Sequence, residues 1–319
     1  MAKDKARCFG QDLMRGEHVV GGKRVSNLTW VQGERPTAEL DDTSRKNFAA
    51  GRKGGCGLLS MNPKLDEQCH MGAASGGTSI FDPVLCELVY RWFCTPGGIV
   101  IDPFAGGSVR GIVASHLGLQ YIGIDLRPEQ IEANREQAAR IAKDPQPVWI
   151  VGDSRNIGTL CTDVKADLIF SCPPYADLER YSDDPLDLST MDYPVFIEAY
   201  RAIIAASCST LKPNRFACFV VGDIRDRKGF YRGFVSDTRQ AFEDCGLHLY
   251  NEAVLVTAVG SLPIRVGKQF SGGRKLGKTH QNVLVFYNGD PKAIKQEFPA
   301  DVQVGEISEE AVLSAGHAV

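Results

Sequence analysis

Two short loops carry the residue types that could do chemistry. The first, Asp102-Pro103-Phe104-Ala105-Gly106-Gly107, follows the apolar run Gly98-Ile99-Val100-Ile101. The second, Ser171-Cys172-Pro173-Pro174-Tyr175, follows Ala166-Asp167-Leu168-Ile169-Phe170. Each sits where a buried parallel strand is expected to end, which is where ligands bind in an open α/β sheet. Glycines in the first loop let the backbone approach a ligand and adopt positive φ. In the second loop two prolines stiffen the backbone and remove its N–H groups. The carbonyls between them can then be aimed as fixed acceptors. Tyr175 adds a flat face on which an aromatic ring can stack. A glycine loop beside a rigid Pro-Pro-aromatic loop suggests a nucleotide-like cofactor next to a planar substrate.

Acidic residues at two further strand ends refine that picture. Asp125 lies 23 positions after Asp102 and closes the run Gly123-Ile124. An acidic side chain there can hydrogen-bond ribose hydroxyls. Asp153 follows Val151-Gly152, where a carboxylate can reach an amine on the cofactor base or the substrate. A dinucleotide Gly-x-Gly-x-x-Gly and a Gly-Lys-Ser/Thr phosphate loop are both absent. An Asp in the glycine loop repels phosphate but suits a cation. S-adenosylmethionine has ribose, adenine, an ammonium and a sulfonium, and no phosphate. The exocyclic amine of a nucleobase is conjugated and nucleophilically poor. Acceptors on its N–H groups favour a tetrahedral nitrogen whose lone pair points at the methyl carbon. Positioning and electrostatics then do the work, and no metal is required.

Asp-Pro-Phe-Ala-Gly followed by Pro-Pro-Tyr resembles the amino-methyltransferases of DNA, which methylate adenine at N6 or cytosine at N4. The resemblance covers roughly residues 78 to 290. It implies S-adenosylmethionine as cofactor and double-stranded DNA as partner, with the target base flipped out of the duplex. By resemblance, Phe104, Gly106 and Asp125 belong to the cofactor pocket; Asp102, Ala105 and Gly107 of the same loop, with Asp153, are expected to line it as well. Thr78, Ser79 and Phe81 resemble the family's upstream cofactor segment. Ser171, Cys172, Pro173, Pro174 and Tyr175 fall on the catalytic loop. The family usually has Asp, Asn or Ser before Pro-Pro, whereas this chain has Cys172, and a thiol is a weak hydrogen-bond partner. Ser171 or Asp153, with the Pro173 carbonyl, can share the acceptor role. The same loops would also serve an RNA base or a protein amine. A third alternative is a non-catalytic nucleic-acid-binding module.

The elements that must position these loops alternate along the chain. Asp82 reads as an N-cap with Pro83 at the first helical position. Apolar residues from Val84 to Phe93 then recur at helical spacing. Strands are expected at 99–101, 120–124, 147–151, 168–170, 216–221, 247–257 and 281–287. Helices are expected at 109–117, 128–141, 193–210 and 235–245. This alternation argues a doubly wound, mostly parallel seven-stranded α/β sheet of Rossmann-like methyltransferase type. The last two strands are joined by a Gly-rich basic segment with no helix, so they should pair antiparallel at one edge. Residues 1–76 read as an irregular N-terminal extension, 77–290 as the methyltransferase domain, and 291–319 as an acidic tail.

The chain has 319 residues and a net charge of −3, which excludes non-specific coating of nucleic acid. Charge is uneven, however. No acidic residue lies between Glu252 and Asp290, yet Arg265, Lys268, Arg274, Lys275 and Lys278 do. They are the expected phosphate contacts. A second cluster, Arg225, Arg227, Lys228 and Arg232, is interleaved with Asp223 and Asp226 and is read as a solvated loop. The ten cysteines have no Cys-x-x-Cys pair, and Cys56, Cys69 and His70 fit no standard zinc spacing. Buried thiols in a reducing cytoplasm are expected. No apolar run is long enough to span a bilayer, and no secretory signal follows the charged start. No restriction nuclease is visible, which leaves an orphan enzyme or the modification half of a pair.

Overall fold

The computed structural model describes residues 17–20, 23–26, 81–178, 180–256 and 262–298. The chain divides into two compact units, Met1–Leu85 and Cys86–Val319. In the first, strands Glu17–Val20 and Lys23–Ser26 pair as an antiparallel hairpin. The rest of the expected extension, with Thr78, Ser79, Cys56, Cys69 and His70, lies outside the described residues. Helix α1 spans Pro83–Phe93. Its expected cap is present: Val84 N–H and Leu85 N–H donate to Asp82 Oδ1 at 2.8 and 3.3 Å.

Seven strands form one sheet in the second unit. They are β1 (Ile99–Asp102), β2 (Gln120–Asp125), β3 (Val148–Val151), β4 (Ala166–Ser171), β5 (Leu211–Val221), β6 (His248–Val256) and β7 (His280–Asn288). The order across the sheet is β3-β2-β1-β4-β5-β7-β6. Strands β3 to β5 in that order are mutually parallel, and β7 runs antiparallel to both neighbours. This is the expected doubly wound fold with its antiparallel edge. A parallel strand covered on both faces must be apolar throughout, and every residue of β4 is buried. The order reverses between β1 and β4, so their carboxyl ends flank the crevice of the sheet.

Helices α2 (Val109–His116) and α3 (Pro128–Ile141) pack on β2 and β3. A short α4 (Ile157–Leu160) follows β3. Helix α5 (Tyr193–Cys208) packs on α6 (Phe234–Asp244), and α6 lies over β5, β6 and β7. Between them Phe196, Tyr200, Phe219, Phe234 and Phe242 are fully buried. The Phe196 and Tyr200 rings stack at 5.7 Å.

One expectation is corrected. The Gly-rich segment before β7 contains a helix, α7 (Leu262–Gly273). Five glycines argue against a helix by propensity, but three of them, at 272, 273 and 277, lie at or beyond its end. The acidic tail also begins with a short helix, α8 (Ile294–Glu297), and residues 299–319 lie outside the described residues. No helix among the described residues is long and apolar enough to cross a membrane.

Candidate active site

Because β1 and β4 are adjacent and parallel, Asp102 and Ser171 emerge side by side. The Ser171 hydroxyl donates to Asp102 Oδ1 at 2.5 Å. Tyr121 Oη and Arg110 Nε donate to Oδ2 at 2.7 and 2.5 Å, and Phe104 N–H donates to Oδ1 at 3.2 Å. The Asp102 residue is 0% exposed and Arg110 only 5%. Burial alone would weaken the Arg110 guanidinium as a cation, but the Asp102 carboxylate outweighs it and holds its pKa above the ordinary value. The expectation that Asp102 faces a cofactor cation is therefore corrected. Its charge is matched internally by Arg110, which the sequence reading passed over. The signal was available: a lone Arg on the otherwise apolar face Val109–Ala114.

Arg110 also shapes the glycine loop, since its Nη2 donates to the Phe104 and Ala105 carbonyls at 2.6 and 2.9 Å. Gly106 has φ +48°, a left-handed conformation that side chains disfavour. Its N–H donates to Asp125 Oδ2 at 2.9 Å, and its carbonyl accepts from Asn134 Nδ2 at 2.7 Å. Gly107 is exposed, and a Cβ there would meet nothing within 4 Å. That side of the loop is open. Ala105 is buried. The Phe104 ring is half-buried and turns inward to Tyr200 and Phe219 at 5.9 and 6.3 Å.

The other strand ends join this loop. Asp125 is half-buried and takes the Arg127 N–H on Oδ1 at 2.9 Å. Burial pushes its carboxyl up despite that bond. Ser154 Oγ donates to the Pro103 carbonyl at 2.6 Å, tying the end of β3 to the end of β1. Burial opposes ionisation of Asp153, but Arg155, whose Nε donates to it at 2.8 Å, wins and holds its carboxyl low.

On the second loop Ser171 and Pro173 are buried, while Cys172, Pro174 and Tyr175 are half-buried. Tyr175 is thus not sealed in the core. Its ring meets Phe234 edge-on at 6.1 Å. Its hydroxyl accepts from Gln281 Nε2 at 2.5 Å and reaches the Cys172 thiol. Burial, then the thiol, push that hydroxyl above its ordinary pKa. Gln281, at the start of β7, was also missed, because only the antiparallel placement of β7 brings it to the crevice.

The expected phosphate contacts divide. Lys278 Nζ lies 3.4 Å from the Asp223 carbonyl. A Cβ on Gly222 would lie 3.4 Å from that Nζ and 3.9 Å from the Tyr175 hydroxyl, so Lys278 borders the crevice. Lys275 is half-buried, and Arg274 is exposed with its guanidinium 5.2 Å from the Phe270 ring centroid. Arg265 and Lys268 fall on α7, with side chains outside the described residues. Phe81 directly precedes the Asp82 cap, and Thr78 and Ser79 are not described.

Sheet order, reversed β7 and glycine loop define the class of fold: the doubly wound seven-stranded sheet seen in S-adenosylmethionine-dependent methyltransferases. Within that class the resemblance to the DNA amino-methyltransferases holds, since residues 81–136 match the DNA methylase family N6_N4_Mtase. No curated protein sequence matches the chain. Similar solved structures include TrmN from Thermus thermophilus, 15% identical over 65% of this chain and 49% of that chain, with TM-score 0.43. A putative sarcosine dimethylglycine methyltransferase from Galdieria sulphuraria is 15% identical, over 72% of this chain and 92% of that one, TM-score 0.46. Magnesium protoporphyrin IX methyltransferase from Synechocystis is 15% identical, over 79% and 100%, TM-score 0.43. The chain spans about half the length of the TrmN chain.

Proposed function

We propose that this protein transfers a methyl group from S-adenosylmethionine to the exocyclic amine of adenine (N6) or cytosine (N4) in double-stranded DNA. The observation that carries this reading is the junction of the two loops through Ser171 and Asp102, with the half-exposed Tyr175 beside it. The residues suit this donor. Gly107 leaves the loop open, and Asp125 keeps lone pairs for ribose hydroxyls. When bound, the donor supplies an electrophilic methyl on sulfonium.

The chain's own residues hold the acceptor. Tyr175 stacks on the extruded base, and the Pro173 carbonyl accepts from the amine. Extrusion is needed because the amine cannot be reached inside a duplex. Cys172 is a weak partner, so orientation falls mainly on the rigid carbonyls. Tritiated methyl transfer to unmethylated duplex DNA, followed by nucleoside mass spectrometry, tests the proposal. Methylated adenine or cytosine is expected, and absence of both on every DNA removes it. An RNA base or a protein amine as acceptor is the second reading, because fold and loop chemistry do not fix the acceptor. Competition among DNA, RNA and protein substrates separates the two.

A further inference from the structure

We infer that the turn between β5 and α6 is a wedge that enters a DNA duplex, with Phe230 holding the space that the target base vacates. The inference rests on the proposed action on duplex DNA. It begins with an anomaly of exposure: Phe230 is 71% exposed beside the 49% exposed Tyr231, and whereas the Tyr231 ring carries the Arg225 guanidinium, the Phe230 ring projects into solvent.

The turn is rigid. Asp226 N–H donates to the Phe230 carbonyl at 2.8 Å, and Arg232 N–H to the Ile224 carbonyl at 2.9 Å. Asp226 Oδ1 accepts from Gly229 N–H and Phe230 N–H at 2.7 and 2.9 Å. Arg225 donates to the Gly229 carbonyl at 2.8 Å and lies 3.9 Å from the Tyr231 ring centroid. Asp226, one of the two acids interleaved in this cluster, therefore folds back into the turn, while Arg227 and Lys228 stay exposed at its tip. Gly229 has φ +99°, and a Cβ on it would lie 2.6 Å from Lys275 Nζ. The turn thus seats on the basic segment that precedes β7.

Topology aims it. Strand β5 is parallel to β4, so the turn leaves the same sheet edge as Tyr175, and Gly222 at its root borders both Tyr175 and Lys278. A basic rim around a protruding ring suits a phosphate backbone with an unstacked step inside it. A rigid exposed ring at this edge can fill the hole left by an extruded base.

The test compares fluorescein-labelled duplexes, intact or with one abasic site. Wild type should bind the abasic duplex about tenfold more tightly, because the unstacking cost is already met. Phe230→Ala should lose that preference, and Phe230→Trp should keep it. Arg227→Ala with Lys228→Ala should weaken both duplexes alike and flatten the salt dependence. In methyl transfer, Phe230→Ala should fall about tenfold further on duplex than on heat-denatured DNA. A wild type without abasic preference, or a Phe230→Ala variant that keeps it, overturns the wedge even if methylation proceeds. A Phe230-dependent preference without any methyl transfer supports the wedge and removes the functional reading instead.

Discussion

Ser171 Oγ meets Asp102 Oδ1 at 2.5 Å, although the two residues lie 69 positions apart in sequence. Through this one bond the ends of β1 and β4 share a carboxylate that Arg110 and Tyr121 also hold. The glycine loop hangs on the same Arg110. The two loops of the site are therefore fixed to one buried charge pair, and neither can shift without disturbing it.

Asp102→Ala should accordingly act first on stability. It leaves the buried Arg110 guanidinium without its carboxylate, a defect that costs about 3–5 kcal/mol. Arg110→Ala should cost a similar amount, and the double variant less than the sum, because residues in one network do not add. Chemical denaturation of the three variants measures this. A wild-type midpoint for Asp102→Ala would show that the pair is not the keystone.

Tyr175→Ala should separate binding from turnover. The side chain touches Phe234, Gln281 and Cys172, and none of these belongs to the glycine loop. Calorimetry should find S-adenosylmethionine affinity kept, while methyl transfer drops about 100-fold through lost positioning. Tyr175→Phe keeps the ring and loses only the hydroxyl contacts, so it should lie between. Equal loss of cofactor affinity in Tyr175→Ala counts against the assignment.

The parallel half of the sheet was legible because buried strands are written as short apolar runs, each closed by a Gly or Asp turn, as at Ile99–Asp102 and Gln120–Asp125. Helix α7 was not, since its glycines mask a helix whose cues are weak. Asp102 and Arg110 illustrate the same limit within the site. Motif spacing places the carboxylate at the right strand end, but only the fold shows that its partner is the Arg in the first turn of α2. Gln281 is the third case, because no local pattern says which strand will lie antiparallel beside β5.

Asp167, at the start of β4, should shape the acid limb of stability. Its carboxylate accepts from Lys212 Nζ at 2.8 Å, Ile99 N–H at 3.0 Å and Arg215 Nε at 3.1 Å. Burial opposes its ionisation, but these donors outweigh burial and hold its carboxyl below the ordinary value. Such a group stabilises fully above its unfolded pKa of about 3.9. The contribution is lost as pH falls through the lower folded value. Asp167→Asn should cost about 2 kcal/mol at neutral pH, with the deficit shrinking in acid. A deficit independent of pH, in urea melts across that range, would contradict the charge-based account.

Cys245 should be the cysteine that reacts first among the described residues. It follows α6, and its thiol meets Cys208 at the end of α5. The hydrogen bond from Cys208, assisted by Arg201, outweighs burial and brings Cys245 down to about 7, while Cys208 is pushed up. Burial pushes Cys94 up to about 12. The thiolate is the nucleophile, so alkylation rises as pH passes the pKa, and a lower pKa moves that rise to lower pH. Iodoacetamide labelling read by peptide mass spectrometry should reach half its maximal rate at Cys245 about one pH unit or more below an ordinary thiol near 8.5. Cys208→Ser keeps a donor and should preserve most of the shift. Cys208→Ala removes the donor and should return Cys245 towards the ordinary value, and an unchanged labelling profile in that variant would show that the neighbouring thiol is not the cause.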